Sequence, residues 1–430
     1  MVVVMNKIHG KISVGQNRRN DPAIFCEHGP SDFNVSDSGP LAGKRLAVKD
    51  VFQLKGEKNT AGSPDWFNTH PAANKTAESL SRLLNVGATF IGFTHLDELA
   101  YSMQGNNRHY GAAENPRVPG YCCGGSSMGS AAAVASGLAD IALGTDTGGS
   151  VRVPASYCGL FGIRTSHSLV SVKGVIGLAP CFDTVGWFTQ KASLLNGVGE
   201  VLLPKQSRSH PKITRLVICD AINQLADKHI QDAMTHYVSQ VQNEFDVCET
   251  VYLSDVRILS ELADVFRILQ GRAIANEHGE WIEKVNPVFS ADVEARLAMA
   301  MSISDDEVLW AVTKRQQWCR QMEILLPDET SVLLMPTSAS TALKKSSNLS
   351  ISEQMNVRQR LLGLTAIGGL WGAPQCHLPL FSVDEIEAES GIHPDDKIVR
   401  KPSGFSLLMA PNNDLALLAL VEQVASLSNE

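Results

Sequence analysis

Residues 76–103, TAESLSRLLNVGATFIGFTHLDELAYSM, begin with apolar positions at helical spacing, break at Gly87, continue through an apolar run and return to helical spacing. This pattern predicts helix, turn, strand and helix in succession, the rhythm of a layered α/β fold. Residues 46–49, Leu-Ala-Val-Lys, read as a short interior strand. Residues 130–139, SAAAVASGLA, are small and apolar on nearly every face, as suits a helix buried tightly against its neighbours. Beyond about residue 195 the pattern changes. It predicts a long helix across 221–245 and helical stretches over 256–284 and 305–325, with no repeat period and only short serine patches in 338–352.

Composition narrows the function classes. A chain of 430 residues with 44% hydrophobic content can bury a large core. Its net charge of −8 and lack of a basic tract argue against nucleic acid or an anionic membrane surface as partner. The nine cysteines are odd in number, scattered and without a CxxC pair, so neither a disulfide framework nor a structural zinc site is expected, and a reducing cytoplasm is. The opening MVVVMNKIHG is too short for a signal peptide, and no stretch reaches the ~18 apolar residues of a membrane span. Residues 1–38 read as an irregular lead-in.

The most informative stretch is 124–154, GGSSMGSAAAVASGLADIALGTDTGGSVRVP. Glycine costs roughly 0.5–1 kcal/mol inside regular structure, so Gly-Gly-Ser clusters make sense where backbone must turn or approach another group closely. A nucleophile beside exposed amides is such a place. The clusters GGSS (124–127) and TGGS (147–150) place Ser126 and Ser150 24 residues apart, and a buried helix between them brings both to one end of a sheet. Serine attacks an amide only when a base takes its proton, and the leaving nitrogen must receive one. Lysine does both when neutral, which requires its pKa of about 10.4 to fall to roughly 7–8. Lys49, in its apolar strand, has desolvation available, and alternation along the strand turns the adjacent Asp50 to the opposite face. Asp146 and Arg152 flank Ser150 and are expected to pair and hold the loop.

This stretch resembles the signature of the amidase signature family, whose members hydrolyse carboxylic amides with a Ser/cis-Ser/Lys triad. The likeness extends through NTAGSPDW (59–66), LDELAYSMQGNNRHYGAAENP (96–116), GLFGIRTSH (159–167) and FDTVGWF (182–188). It is strong over 39–190, weak over 195–330 and moderate from LLMPT (333–337) onward, and it is nearest to the short branch that includes indole-3-acetamide hydrolase. The resemblance implies one α/β/α sandwich around a large mixed β-sheet, occupying 39–430. Within it lie a catalytic core region (39–192), a variable helical region that selects substrate (195–330) and a C-terminal return into the core (331–425). It assigns Lys49 as base, Ser126 as the cis-serine relay and Ser150 as nucleophile, with the amides of Thr147, Gly148, Gly149 and Ser150 as oxyanion hole and Ser127 in support. Pocket candidates are Tyr101, Ser102, Met103, Trp187, Phe188, Trp371 and Gln375, which together suggest a partly apolar pocket for a small aryl or alkyl amide.

The implied reaction yields a carboxylate and ammonia or an amine through an acyl-serine, with no cofactor or metal. A homodimer is compatible with the resemblance. Met128 stands where relatives carry a small residue, so it either repacks the interior or narrows the site. Two other functions stay open: the glutaminase-type A subunit of a tRNA-dependent amidotransferase, and a non-catalytic amidase-like receptor. Two further motifs add little. GPLAGKR (39–45) has the wrong spacing for a phosphate loop, and Cys26, Glu27 and His28 adjoin one another without a second ligand pair at metal spacing.

Overall fold

A computed structural model describes residues 22–205, 211–345, 351–387 and 397–427. Ten strands form one sheet: β1 Arg45–Lys49, β2 Thr89–Thr94, β3 Ile141–Asp146, β4 Phe161–Arg164, β5 Thr184–Thr189, β6 Arg215–Ile218, β7 Val247–Thr250, β8 Ser331–Pro336, β9 Gln375–Glu387 and β10 Lys397–Leu408. Their spatial order is β2-β1-β3-β5-β4-β9-β10-β8-β6-β7. The β2-β1-β3 and β8-β6-β7 groups are parallel at either end, and the strands between them are antiparallel. Helices flank this mixed sheet in a single-domain α/β fold. All three segments expected within it contribute strands, so one sheet runs through them.

The small-residue stretch forms the helix Met128–Ala135, buried along its whole length. Its composition follows from its distance to the strands. A Cβ on Gly129 would stand 2.7 Å from the carbonyl oxygens of His95 and Ile24, and Ser130 Oγ donates to the Leu143 carbonyl at 2.9 Å. Met128 belongs to the apolar cluster that includes Ile24, Phe25, Ala47 and Ala142, so it fills the interior.

Two sequence expectations need correcting. The second helix expected in 96–103 shrinks to a single 3₁₀ turn, Glu98–Ala100, with Leu99 and Ala100 at φ of 48° and 57°. Tertiary hydrogen bonds prevail over helical periodicity here: the Asp97 carboxylate accepts from the Gly105 amide and the Glu98 carboxylate from the Ser290 amide. The long helix expected across 221–245 is broken into Asp220–Asn223 and Lys228–Val241. Between them the Asp227 amide bonds the Ala339 carbonyl, and its carboxylate takes Arg360. The other two stretches form Ile258–Val285 and Asp305–Leu325, and Ala291–Ser302 adds a helix between them.

Residues 1–21 of the expected lead-in lie outside the described residues; the rest of it is tied to the sheet. Phe25 bridges to Thr94 and Phe33 to Phe90, covering the outer edge of β2.

Candidate active site

Strands β1 and β3 are parallel neighbours, so their carboxyl ends meet at one edge of the sheet. This is where open α/β sheets leave a crevice for ligands. Lys49 ends β1, Thr145 and Asp146 end β3, and both serine clusters reach the same place: GGSS just before the helix Met128–Ala135, TGGS just after β3.

The Lys49 amine is fully buried and lies 2.8 Å from both Ser126 Oγ and Thr145 Oγ1. Burial lowers its pKa to about 7, against the opposing pull of Asp97, Asp146 and Asp183. Asp50 is turned away and accepts hydrogen bonds from Asn59 and Thr60. The Gly125–Ser126 peptide is cis, and the Asp97 carboxylate packs against Gly125 so closely that a Cβ there would stand 2.5 Å from it. Burial raises the Asp97 carboxyl to about 6.

Ser150 opens on a small cavity lined by Tyr101, Ser102, Met103, Gly148, Gln270 and Arg358. Among the described residues its hydroxyl makes no hydrogen bond, so Ser126 and Ser150 are not directly linked. Catalytic hydrogen bonds commonly tighten only when substrate is bound. A cleft of about 390 Å³ shares Ser102, Met103 and Arg358 with this cavity and extends the site.

The turn carrying Ser150 is held by charge. Asp146 accepts from the amides of Gly149, Val151 and Arg152, pairs with Arg152 at 2.8 Å, and takes a further bond from Arg164 at 3.1 Å. Burial alone would raise the Asp146 carboxyl, but the two guanidinium groups hold it well below the usual carboxylate range. Arg152 also reaches the Thr365 carbonyl and Gln375 Oε1. Because the Gly149 amide is committed to Asp146, the donors left at the turn are the amides of Thr147, Gly148 and Ser150. Gly149 itself has φ of +123° and a Cβ there would meet Thr365 at 2.7 Å, so only glycine suits it. Ser127 lies buried behind the site, its hydroxyl 3.4 Å from the Thr145 carbonyl.

The pocket candidates divide. Tyr101, Ser102 and Met103 line the cavity. Trp187 is wholly buried, donating its indole N–H to the Leu195 carbonyl, and Phe188 is buried in the apolar cluster of Met128. Trp371 packs on the main core, and Gln375 braces Arg152. These four therefore support the frame rather than line the cavity. In their place Gln270 and Arg358 come from the helices Ile258–Val285 and Ile351–Trp371. Sequence reasoning missed Thr145, Asp97 and Arg164, although all three lie inside or beside the quoted motifs. Buried polar residues at strand ends were the available signal.

The chain matches the amidase family over residues 30–405. It is 35% identical to Amidase 1 of Arabidopsis thaliana over 95% of this chain and 99% of that one. It is 34% identical to Translocon at the outer membrane of chloroplasts 64 of Pisum sativum, over 80% of this chain and 62% of that one. A crystal structure of amidase superposes with a TM-score of 0.77 at 26% identity, covering 90% of this chain and 85% of that one. The chain therefore belongs to the amidase signature family and is a hydrolytic enzyme of the kind that acts on small amides. Among the described residues, no helix is long and apolar enough to cross a membrane.

Proposed function

We propose that the chain hydrolyses a small aryl or alkyl carboxylic amide to a carboxylate and ammonia or an amine, through an acyl intermediate on Ser150. The reading rests on one observation above all: a fully buried lysine amine within 2.8 Å of Ser126 Oγ. In water such an amine is protonated and useless as a base. Here burial lowers its pKa to about 7, so neutral amine is available near neutral pH.

Neutral Lys49 takes the proton of Ser126 while Ser126 takes that of Ser150, and Ser150 Oγ bonds to the amide carbon. The oxygen's developing charge falls on the amides of Thr147, Gly148 and Ser150. Preorganised donors of this kind typically contribute on the order of 10²–10³ each in turnover. The proton returns through Ser126 to the departing nitrogen and the C–N bond breaks. Water, activated by the same relay, then frees the carboxylate and restores Ser150.

The likeness to the branch of indole-3-acetamide hydrolase makes arylacetamides the first substrates to try, and the free thiols favour a cytoplasmic site of action. The test is ammonia release from indole-3-acetamide, phenylacetamide and glutamine, with Ser150→Ala as control. Turnover of an aryl amide by wild type alone supports the reading. Activity confined to glutamine, and dependent on tRNA and a second subunit, replaces it with the amidotransferase function.

A further inference from the structure

On the outer side of β1 the fold gathers a second set of reactive side chains that amide hydrolysis does not use. Cys26 and His28 come from the lead-in and Asp50 from the position after β1, and one ligand atom of each lies within 4.8 Å of the others. Cys26 Sγ stands 3.8 Å from Asp50 Oδ2 and 3.4 Å from His95 Nδ1, and His28 Nε2 stands 3.2 Å from the Asp50 carboxylate. In a tetrahedral zinc site, bonds of about 2.0–2.3 Å put ligand atoms about 3.3–3.8 Å apart. The Cys26–Asp50 and His28–Asp50 separations, 3.8 and 3.2 Å, are close to two edges of such a tetrahedron, and the three ligand atoms share one cluster.

The surroundings have the features of a supported metal site. Asp50 is oriented from behind by Asn59 Nδ2 at 2.9 Å and the Thr60 amide at 2.8 Å, as ligating carboxylates usually are. The His95 ring stacks on Tyr110 at 4.7 Å and presents Nδ1 to the thiol. Asp50 is wholly buried, yet among the described residues no lysine or arginine lies within ion-pair distance of it. Its present partners are neutral donors and the His28 ring, so a cation there would add the charge compensation they do not supply. A cavity of about 440 Å³, lined by His28, His95, His109 and Tyr110, gives an ion a way in.

We propose that Cys26, His28 and Asp50 bind one divalent ion of zinc character, with His95 Nδ1 beside the thiol. Binding releases the thiol proton to solvent and leaves a thiolate, a neutral imidazole and a carboxylate around the ion, with water completing its shell. Its role is a clamp: it fastens the lead-in to the strand end that carries Lys49.

The test uses the full chain stripped with a chelator and titrated with Co²⁺, then Zn²⁺. One equivalent of Co²⁺ gives wild type a sulfur-to-cobalt charge-transfer band and tetrahedral ligand-field absorption, and Zn²⁺ displaces it and raises the melting temperature. Cys26→Ser removes the sulfur band, and His28→Gln, at a half-exposed position, weakens zinc at least tenfold, with circular dichroism confirming that both variants are folded. X-ray absorption of the wild-type zinc form, which needs no variant, shows one sulfur among nitrogen and oxygen ligands. A missing band, a band that survives Cys26→Ser, or metal held only in large excess overturns the proposal. None of these readouts involves amide hydrolysis, so the site stands or falls independently of the proposed reaction.

Discussion

Thr145 Oγ1 and Lys49 Nζ, on neighbouring parallel strands, stand 2.8 Å apart, the distance that also separates the amine from Ser126. A neutral amine has two N–H donors and one lone pair. If one donor is spent on Thr145, the amine is rotated so that its lone pair can meet the Ser126 proton. Thr145→Val keeps the side-chain shape and removes the acceptor, leaving a buried N–H without a partner, which costs about 1–3 kcal/mol. The expected outcome is a fall in kcat/KM of about tenfold to a hundredfold in a folded protein whose melting temperature drops by a few degrees. An unaltered rate would show that Thr145 does not orient the amine.

Ser150→Ala should reduce turnover by about 10⁴-fold or more while the fold persists, because removing a nucleophile leaves only binding and the oxyanion donors. A fluorophosphonate probe should attach to Ser150, as located by mass spectrometry. An adduct on any other residue would contradict the assignment.

Activity should rise with pH through about 7, as Lys49 loses its proton. Asp97, negative when ionised, favours the charged lysine, so Asp97→Asn should move this limb to lower pH. A pH–rate profile of both proteins decides the point. A limb that stays in place, or moves upward, removes Asp97 from the electrostatics of the base.

The Asp146 carboxyl is depressed in the folded protein, so its stabilisation is complete above the ordinary carboxylate pKa of about 4 and is lost as pH falls toward the depressed value. Asp146→Asn breaks a buried pair and should cost about 3–5 kcal/mol at neutral pH. The variant should also lose part of the wild type's sensitivity to acid. Urea unfolding at several pH values measures both.

Gly129→Ala should destabilise by about 1–3 kcal/mol, since the new methyl meets backbone on both sides and neither side can yield by rotating. A lowered urea midpoint at unchanged slope is the expected signature.

The parts of the molecule that were legible in the sequence are those whose chemistry is local. The strand of Lys49, the helix between the serine clusters and the α/β rhythm follow from spacing and residue size over a few turns of chain, whereas the mixed sheet was implied by the family resemblance. Asp97 and Glu98 show why the rest was not. Their segment has helical periodicity, yet partners at Gly105 and Ser290 hold it in a turn, and those partners are visible only once the chain is folded. The same holds for Trp187, which reads as a pocket aromatic by its place in a motif but finds its acceptor at Leu195 in the core. Cys26 and His28 had no partner in sequence for such a cluster because Asp50 lies 22 to 24 positions away from them.

Arg152 ties the turn of Ser150 to residues more than two hundred positions further along the chain, its guanidinium gripped by Thr365 and Gln375. A polypeptide emerging from the ribosome thus contains Lys49, Ser126 and Ser150 well before the brace for that turn exists. A truncated product that stops short of Thr365 would hold all three side chains and leave the turn slack.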